Sequence, residues 1–259
     1  MPFAQIDDVL LHYDVQGGQA LPCLVFSNSL GTDLGMWDRQ SSALADAFRV
    51  VRYDTRGHGR SGNGAGPVDI ARLGRDVVGL LDHLGIRQAH FCGISMGGLT
   101  GQWLGIHAPE RLGKLVLANT AARIGSADAW HARAALVRRA GMHEIAAGAA
   151  GRWFTEPFIG REPDVVASMI ATLRDQDAEG YAACCDALAH GDLCASVSAI
   201  SRRTLVIAGA ADPVTTVADA RWLVREIADA ALATLPASHL SNIEAAPAFN
   251  RVLRQFLLD

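Results

Sequence analysis

A serine hydroxyl becomes a useful nucleophile only when a base takes its proton, and the base works only when a third group orients it. Ser95 stands in Gly93-Ile94-Ser95-Met96-Gly97, the pattern G-x-S-x-G, followed by a further glycine at Gly98. An apolar stretch, residues 90–94, precedes it, and a helix-like stretch through Trp103 and Leu104 follows. A strand that reverses sharply into a helix holds the residue at its apex in a strained backbone conformation, and side chains at the flanking positions collide. The glycines are read as the answer to that crowding. The Ser95 hydroxyl is then left projecting at the edge of the sheet, where the amino end of the next helix favours an oxyanion.

A serine in this setting is served by an acid and then a histidine, in that order along the chain. Of nine histidines, His239 is the one that lies beyond the late candidate acids, in the polar stretch Ala237-Ser238-His239-Leu240-Ser241-Asn242. Asp212 closely follows the apolar run 204–208, in Gly209-Ala210-Ala211-Asp212-Pro213. The other usual place for the acid, after the run ending at residue 117, offers Asn119-Thr120 and no carboxylate, while Glu226 and Asp229 read as helical. Ser95, Asp212 and His239 are therefore the expected catalytic residues. A second oxyanion donor belongs in the glycine-bearing loop 28–32, so the backbone amides of Leu30 and Met96 are assigned that role. The glycine-rich turn 54–62 reads as architectural, and His58 within it as noncatalytic because it precedes Ser95.

The elements needed to position these residues are visible as short apolar, β-branched runs at 24–27, 49–53, 90–94, 114–117, 204–208 and 231–235. Each reads as a buried parallel strand. Helical spacing lies between the early ones, most clearly at Leu73, Val77, Leu80, Leu81 and Leu84, with Gly85 as a stop. Alternating strands and helices predict an α/β fold with a mostly parallel central sheet and helices on both faces. Residues 3–15 read as an antiparallel hairpin turning at Asp7-Asp8 on the sheet edge. The alternation breaks after Thr120 and resumes near Ser201, so residues 121–200 are expected to form a helical cap inserted into a core of 1–120 and 201–259. Its Trp130, Leu136, Trp153, Phe154 and Phe158 are available to pack together or to roof a pocket.

Composition narrows the partners. The formal net charge of -4 and the absence of a basic concentration argue against nucleic acid, so a small molecule is expected. Five cysteines form no CxxC pair and show no ligand-like spacing to the histidines, which predicts neither a disulfide framework nor a metal site, and no cofactor is implied. No signal-peptide pattern and no apolar span of membrane length is present, so a cytoplasmic location is expected and no membrane partner. Nothing in the sequence sets an oligomeric state.

Four segments together resemble the 3-oxoadipate enol-lactonases: residues 28–40 (Asn28 to Gln40), 52–62 (Arg52 to Gly62), 91–98 (Phe91 to Gly98) and 239–244 (His239 to Glu244). The second and third are shared across α/β hydrolases generally; the first and last are more particular to the enol-lactonases. The resemblance implies an α/β-hydrolase fold with a helical cap insertion and a triad that falls on Ser95, Asp212 and His239. It implies hydrolysis of 3-oxoadipate enol-lactone to 3-oxoadipate in the β-ketoadipate branch of bacterial aromatic breakdown. The departures are Ile94, where leucine is commoner, and residues 212–216, where the family usually continues with prolines. A small anionic lactone calls for a cation or an array of donors, which an arginine fork supplies best. Arg133, one helical turn after Trp130, is the first choice, with Trp130 and Trp153 beside it; Arg138, Arg139, Arg152 and Arg174 remain open. Other serine hydrolases of this type (a carboxylesterase, a carbon–carbon bond hydrolase, a perhydrolase) share the triad, and a ligand receptor on the same scaffold would share the fold.

Overall fold

The computed structural model describes residues 2–259. Eight strands form one sheet in the order β1-β2-β4-β3-β5-β6-β7-β8. They are β1 (Phe3–Ile6), β2 (Val9–Gln16), β3 (Cys23–Ser27), β4 (Arg49–Tyr53), β5 (Ala89–Ile94), β6 (Leu112–Ala118), β7 (Thr204–Gly209) and β8 (Ala230–Leu235). From β4 to β8 every pairing is parallel; the β1–β2 hairpin joins antiparallel at the β4 edge, turning through Asp7. The expected strands are all present, most of them longer than the apolar runs by one to three residues. Backbone pairing continues past the last strongly apolar side chain, which hydropathy alone does not register.

The strands at the centre of the sheet are apolar throughout because both faces are covered. Along β3, Leu24 and Phe26 enter one core cluster while Cys23 and Val25 enter the other. Helix α1 (Asp38–Leu44) follows β3, and α2 (Ile70–His83) follows β4. The Asp69 side chain caps α2 by accepting from the Arg72 amide, and Gly85 sits just past its end at φ +65°. Helix α3 (Met96–His107) follows β5 directly. Because the central strands run parallel, the loops after β3, β5, β6, β7 and β8 all open at the same end of the sheet, where open α/β folds hold their ligands.

Between β6 and β7 come six α-helices, one short 3-10 helix (Val197–Ala199) and no named strand: α4 (Ala127–Ala140), α5 (His143–Ala147), α6 (Ala150–Trp153), α7 (Glu156–Arg161), α8 (Pro163–Arg174) and α9 (Ala178–His190). We propose the division of the chain into a 121–200 cap over a 1–120 and 201–259 core from this arrangement. Phe154 and Phe158 stack on each other at 5.0 Å inside the shared core, and Leu136 packs at its margin. The glycine-rich turn after β4 braces the cap, with the Gly59 amide donating to Gln176 Oε1 at 2.7 Å. Helices α10 (Val217–Glu226), α11 (Ser241–Glu244) and α12 (Ala246–Leu258) complete the fold. Asp229 lies in a turn at the amino end of β8, outside the helix the sequence suggested for it, and far from the loops of the ligand-binding end.

Candidate active site

Ser95 occupies the turn between β5 and α3 at φ +57° and ψ −115°, a region that non-glycine residues rarely adopt. The surrounding backbone holds it there: its amide donates to the Ala118 and Asn119 carbonyls, each at 3.1 Å, and Thr120 Oγ1 donates to its carbonyl at 2.8 Å. A Cβ on Gly93 would stand 2.1 Å from the Gly97 carbonyl oxygen, and one on Gly97 would stand 2.3 Å from that of Ser27. These clashes are with backbone, so no side-chain adjustment relieves them.

Asp212 and His239 come from the loops after β7 and β8. His239 Nδ1 lies 2.8 Å from Asp212 Oδ2, and both residues are buried. A carboxylate acceptor at Nδ1 requires that nitrogen to carry the hydrogen in the neutral ring, which leaves the Nε2 lone pair able to accept a proton. Asp212 itself is heavily supported. Asn119 Nδ2 and Thr215 Oγ1 donate to Oδ2 at 3.0 and 2.8 Å, and the Val214 and Thr215 amides donate to Oδ1 at 2.8 and 3.1 Å. Burial works to raise this carboxyl, but the His239 hydrogen bond and charge, the Asn119 amide and the Thr215 amide outweigh it and hold the group below its ordinary value.

Ser95 and His239 face a cavity of about 210 Å3 beneath the cap. That volume suits a single small ring rather than a drug-sized ligand. Leu30 also lines it, on the loop after β3, while Met96 follows Ser95 as the first residue of α3. Among the described residues, neither the Leu30 nor the Met96 amide donates to a protein acceptor. Two free donors flanking a serine suit a developing oxyanion.

The cap contributes Trp130, Arg133, Arg152, Trp153, Leu173 and Tyr181 to the same cavity. Arg133 lies over the Trp130 ring at 5.0 Å, and Trp130 Nε1 donates to the Ile124 carbonyl at 2.5 Å, which fixes the ring. Arg152 is anchored by a bond from Nη2 to the Ile145 carbonyl at 3.1 Å. Burial and the neighbouring Arg133 charge both lower its affinity for its proton, and among the described residues neither arginine pairs with a carboxylate. The cavity is thus lined by two guanidinium groups with no carboxylate partner among the described residues. The other arginines left open are elsewhere: Arg138 pairs with Glu179 and Asp186 on the surface, Arg174 with Asp175, and Arg139 is exposed. His58 is buried and stands 6.2 Å, ring to ring, from Tyr181, outside the cavity.

Sequence reasoning missed Asn119, which reaches Asp212 only through folding, and Thr215, which bonds Asp212 from three residues on in the same loop. It left Arg152 undistinguished among several arginines. No spacing rule links Arg152 to Arg133, because they sit on separate helices. Among the described residues no group of three or more His, Cys, Asp or Glu side chains is arranged to hold a metal ion, and no helix is long and apolar enough to cross a membrane.

Residues 22–144 match the family model described as alpha/beta hydrolase fold. Over 246 residues the chain is 54% identical to 3-oxoadipate enol-lactonase 2 of Acinetobacter baylyi, covering 95% of this chain and 92% of that protein. It is 44% identical over 247 residues to 3-oxoadipate enol-lactonase 1 of the same organism, at the same coverage of 95% and 92%. The crystal structure of the enol-lactonase from Burkholderia xenovorans LB400 superimposes with a TM-score of 0.98 at 45% identity, covering 100% of both chains. With this fold, this elbow and relatives of this identity along nearly its whole length, the chain belongs to the α/β-hydrolase fold family and, within it, to the 3-oxoadipate enol-lactonases.

Proposed function

We propose that this protein is a carboxylic ester hydrolase that converts 3-oxoadipate enol-lactone to 3-oxoadipate in the β-ketoadipate pathway of aromatic-compound breakdown. The observation that carries the reading is the cavity itself. Ser95 and His239 line it together with Arg133 and Arg152, neither of which pairs with a carboxylate, so one small cavity offers a lactone both a nucleophile for its carbonyl and cations for its carboxylate. The family membership supplies the particular lactone.

In the mechanism, His239 Nε2 takes the proton of Ser95 as Oγ attacks the lactone carbonyl carbon. The Leu30 and Met96 amides donate to the oxyanion, and Asp212 holds the imidazolium through Nδ1. Collapse breaks the ring carbon–oxygen bond and expels an enolate, which receives the proton held on His239 Nε2 and becomes a ketone, leaving the imidazole neutral again. A delocalised enolate is a good leaving group, so acylation is downhill. Water, deprotonated by His239, then attacks the acyl carbon, and Ser95 leaves with the proton restored. Arg133 and Arg152 hold the substrate carboxylate, with Trp130 and Trp153 closing over the ring.

The decisive experiment follows consumption of the enol-lactone beside a neutral aryl ester and a ring-cleavage product. The proposal expects multiple turnovers and a kcat/KM for the enol-lactone at least about a hundredfold above either rival, the contribution of one well-placed charged contact. A preference for the ester or the ring-cleavage product would transfer the assignment to another serine hydrolase, and binding without turnover would point to a receptor.

A further inference from the structure

His239 is held from both sides by the cap. The residue before it, Ser238, has its amide 2.8 Å from Glu244 Oε2. The residue after it, Leu240, donates its amide to the Trp153 carbonyl at 3.1 Å. Glu244 also reaches the cap, accepting from Thr155 Oγ1 through Oε1 and from the Thr155 amide through both oxygens at 3.3 and 3.4 Å. Ser238 Oγ shares its single hydrogen between the Arg152 and Ala211 carbonyls, each at 3.4 Å, which places the same loop beside the cap and the residue before Asp212. The histidine loop is thus bonded directly to Arg152 and Trp153 and, through Glu244, to Thr155, and two of these, Arg152 and Trp153, line the cavity.

The bonding of Glu244 is unlike that of the surface carboxylates. Asp46 pairs with Arg254, and Asp186 with Arg138, whereas among the described residues Glu244 has no basic partner and serves only uncharged donors. An ionised acceptor makes each of those bonds roughly twice as strong as a neutral one. Nor does Glu244 cap its own helix. It ends the short α11, and its acceptors meet an amide that precedes that helix and a residue 89 positions away.

We infer that Glu244 is a positioning residue that fastens the base loop to the cap edge carrying Arg152 and Trp153, so that His239 and the substrate-binding wall move as one body. Substrate engagement by that wall then sets the base, and loss of the fastening harms both. The inference rests on His239 being the base. A His239→Ala variant with wild-type turnover would remove that reading, whereas the results at Glu244 judge the fastening alone.

The test uses the purified full chain, with active sites counted by stoichiometric organophosphate labelling so that misfolded molecules do not enter kcat. Glu244→Ala is expected to lower kcat per titrated site about tenfold or more, on both the anionic lactone and neutral 4-nitrophenyl acetate, as small misplacements of reacting groups do. KM should rise for the lactone alone, because only it uses the arginine wall. Glu244→Gln keeps an acceptor for the Ser238 amide and a polar group for Thr155 Oγ1, and should return kcat to within about threefold of wild type, one ordinary hydrogen bond. A Glu244→Ala enzyme within about threefold of wild type on both substrates overturns the inference. Equal impairment of the two variants overturns it as well. Should Glu244→Ala yield no titratable protein, Thr155→Val decides: a fall of about threefold in kcat on both substrates supports the fastening, and an unchanged kcat contradicts it.

Discussion

The Asp212 oxygen that meets His239 also receives a side-chain amide: Asn119 Nδ2 lies 3.0 Å from Asp212 Oδ2, the atom 2.8 Å from His239 Nδ1. Asn119 sits at φ +42° just after β6, with its Oδ1 bonded by Ser241 Oγ and its Nδ2 also reaching the Ser238 carbonyl at 3.1 Å. It therefore joins the loops that carry Ser95, Asp212 and His239. Asn119→Ala should lower kcat by about tenfold, the cost of one buried hydrogen bond to a charged group, with KM little changed in steady-state kinetics.

Asp212→Asn removes the charge that fixes the His239 tautomer. Turnover should fall on the order of 10⁴-fold. The same variant tests stability. Because the folded state holds this carboxyl below its ordinary value, its contribution is present above about pH 3.9 and is lost as pH falls through the lowered value. The melting-temperature gap between wild type and Asp212→Asn should therefore narrow as the pH drops below about 4, and a gap that widens there would contradict the assignment.

Arg133→Ala and Arg152→Ala should each raise KM for the anionic lactone by about tenfold to a hundredfold, corresponding to about 1.5–3 kcal/mol for a charge-assisted bond. Neither should alter KM for a neutral acetate ester by more than a small factor. Initial rates on the two substrates separate a carboxylate contact from general damage to the cap.

Gly31 follows Leu30 at φ +81°, and a Cβ there would stand 2.4 Å from Leu173 Cδ1 and 3.1 Å from Tyr181 Cε2. Gly31→Ala should displace the Leu30 amide and lower kcat by about 10²–10³-fold, the usual cost of one oxyanion donor. Adding Leu173→Ala relieves the clash but leaves the backbone strain, so the double variant should recover only part of kcat.

Legibility in the sequence followed the range of the interaction. The elbow is local: Gly93, Ser95 and Gly97 are clustered, and the strain they relieve is produced by a single turn, so pattern alone placed it. Asp212 and His239 were placed by chain order, because strand ends in a parallel sheet are forced to one side. The sheet and the helical character of residues 121–200 followed from hydropathy periods. Asn119 and Glu244 were not assigned roles, since each acts on residues far away in the chain, and period and spacing record nothing of those meetings; Thr215 bonds Asp212 from three residues on within one loop, a local side-chain turn that hydropathy periods do not register. Arg152 resembled a solvated charge until folding set it beside Arg133 without a carboxylate. Asp229 read as helical because its neighbours are alanines, yet the chain must turn there to enter β8.

The claim beneath all of these is that Ser95 is the nucleophile, and replacing its hydroxyl tests that most directly. Ser95→Ala leaves the fold and the arginine wall in place, so the variant should still bind the enol-lactone while its turnover falls on the order of 10⁶-fold. A folded Ser95→Ala enzyme that kept more than about a hundredth of wild-type turnover, far above the residue left when a nucleophile is lost, would contradict the account.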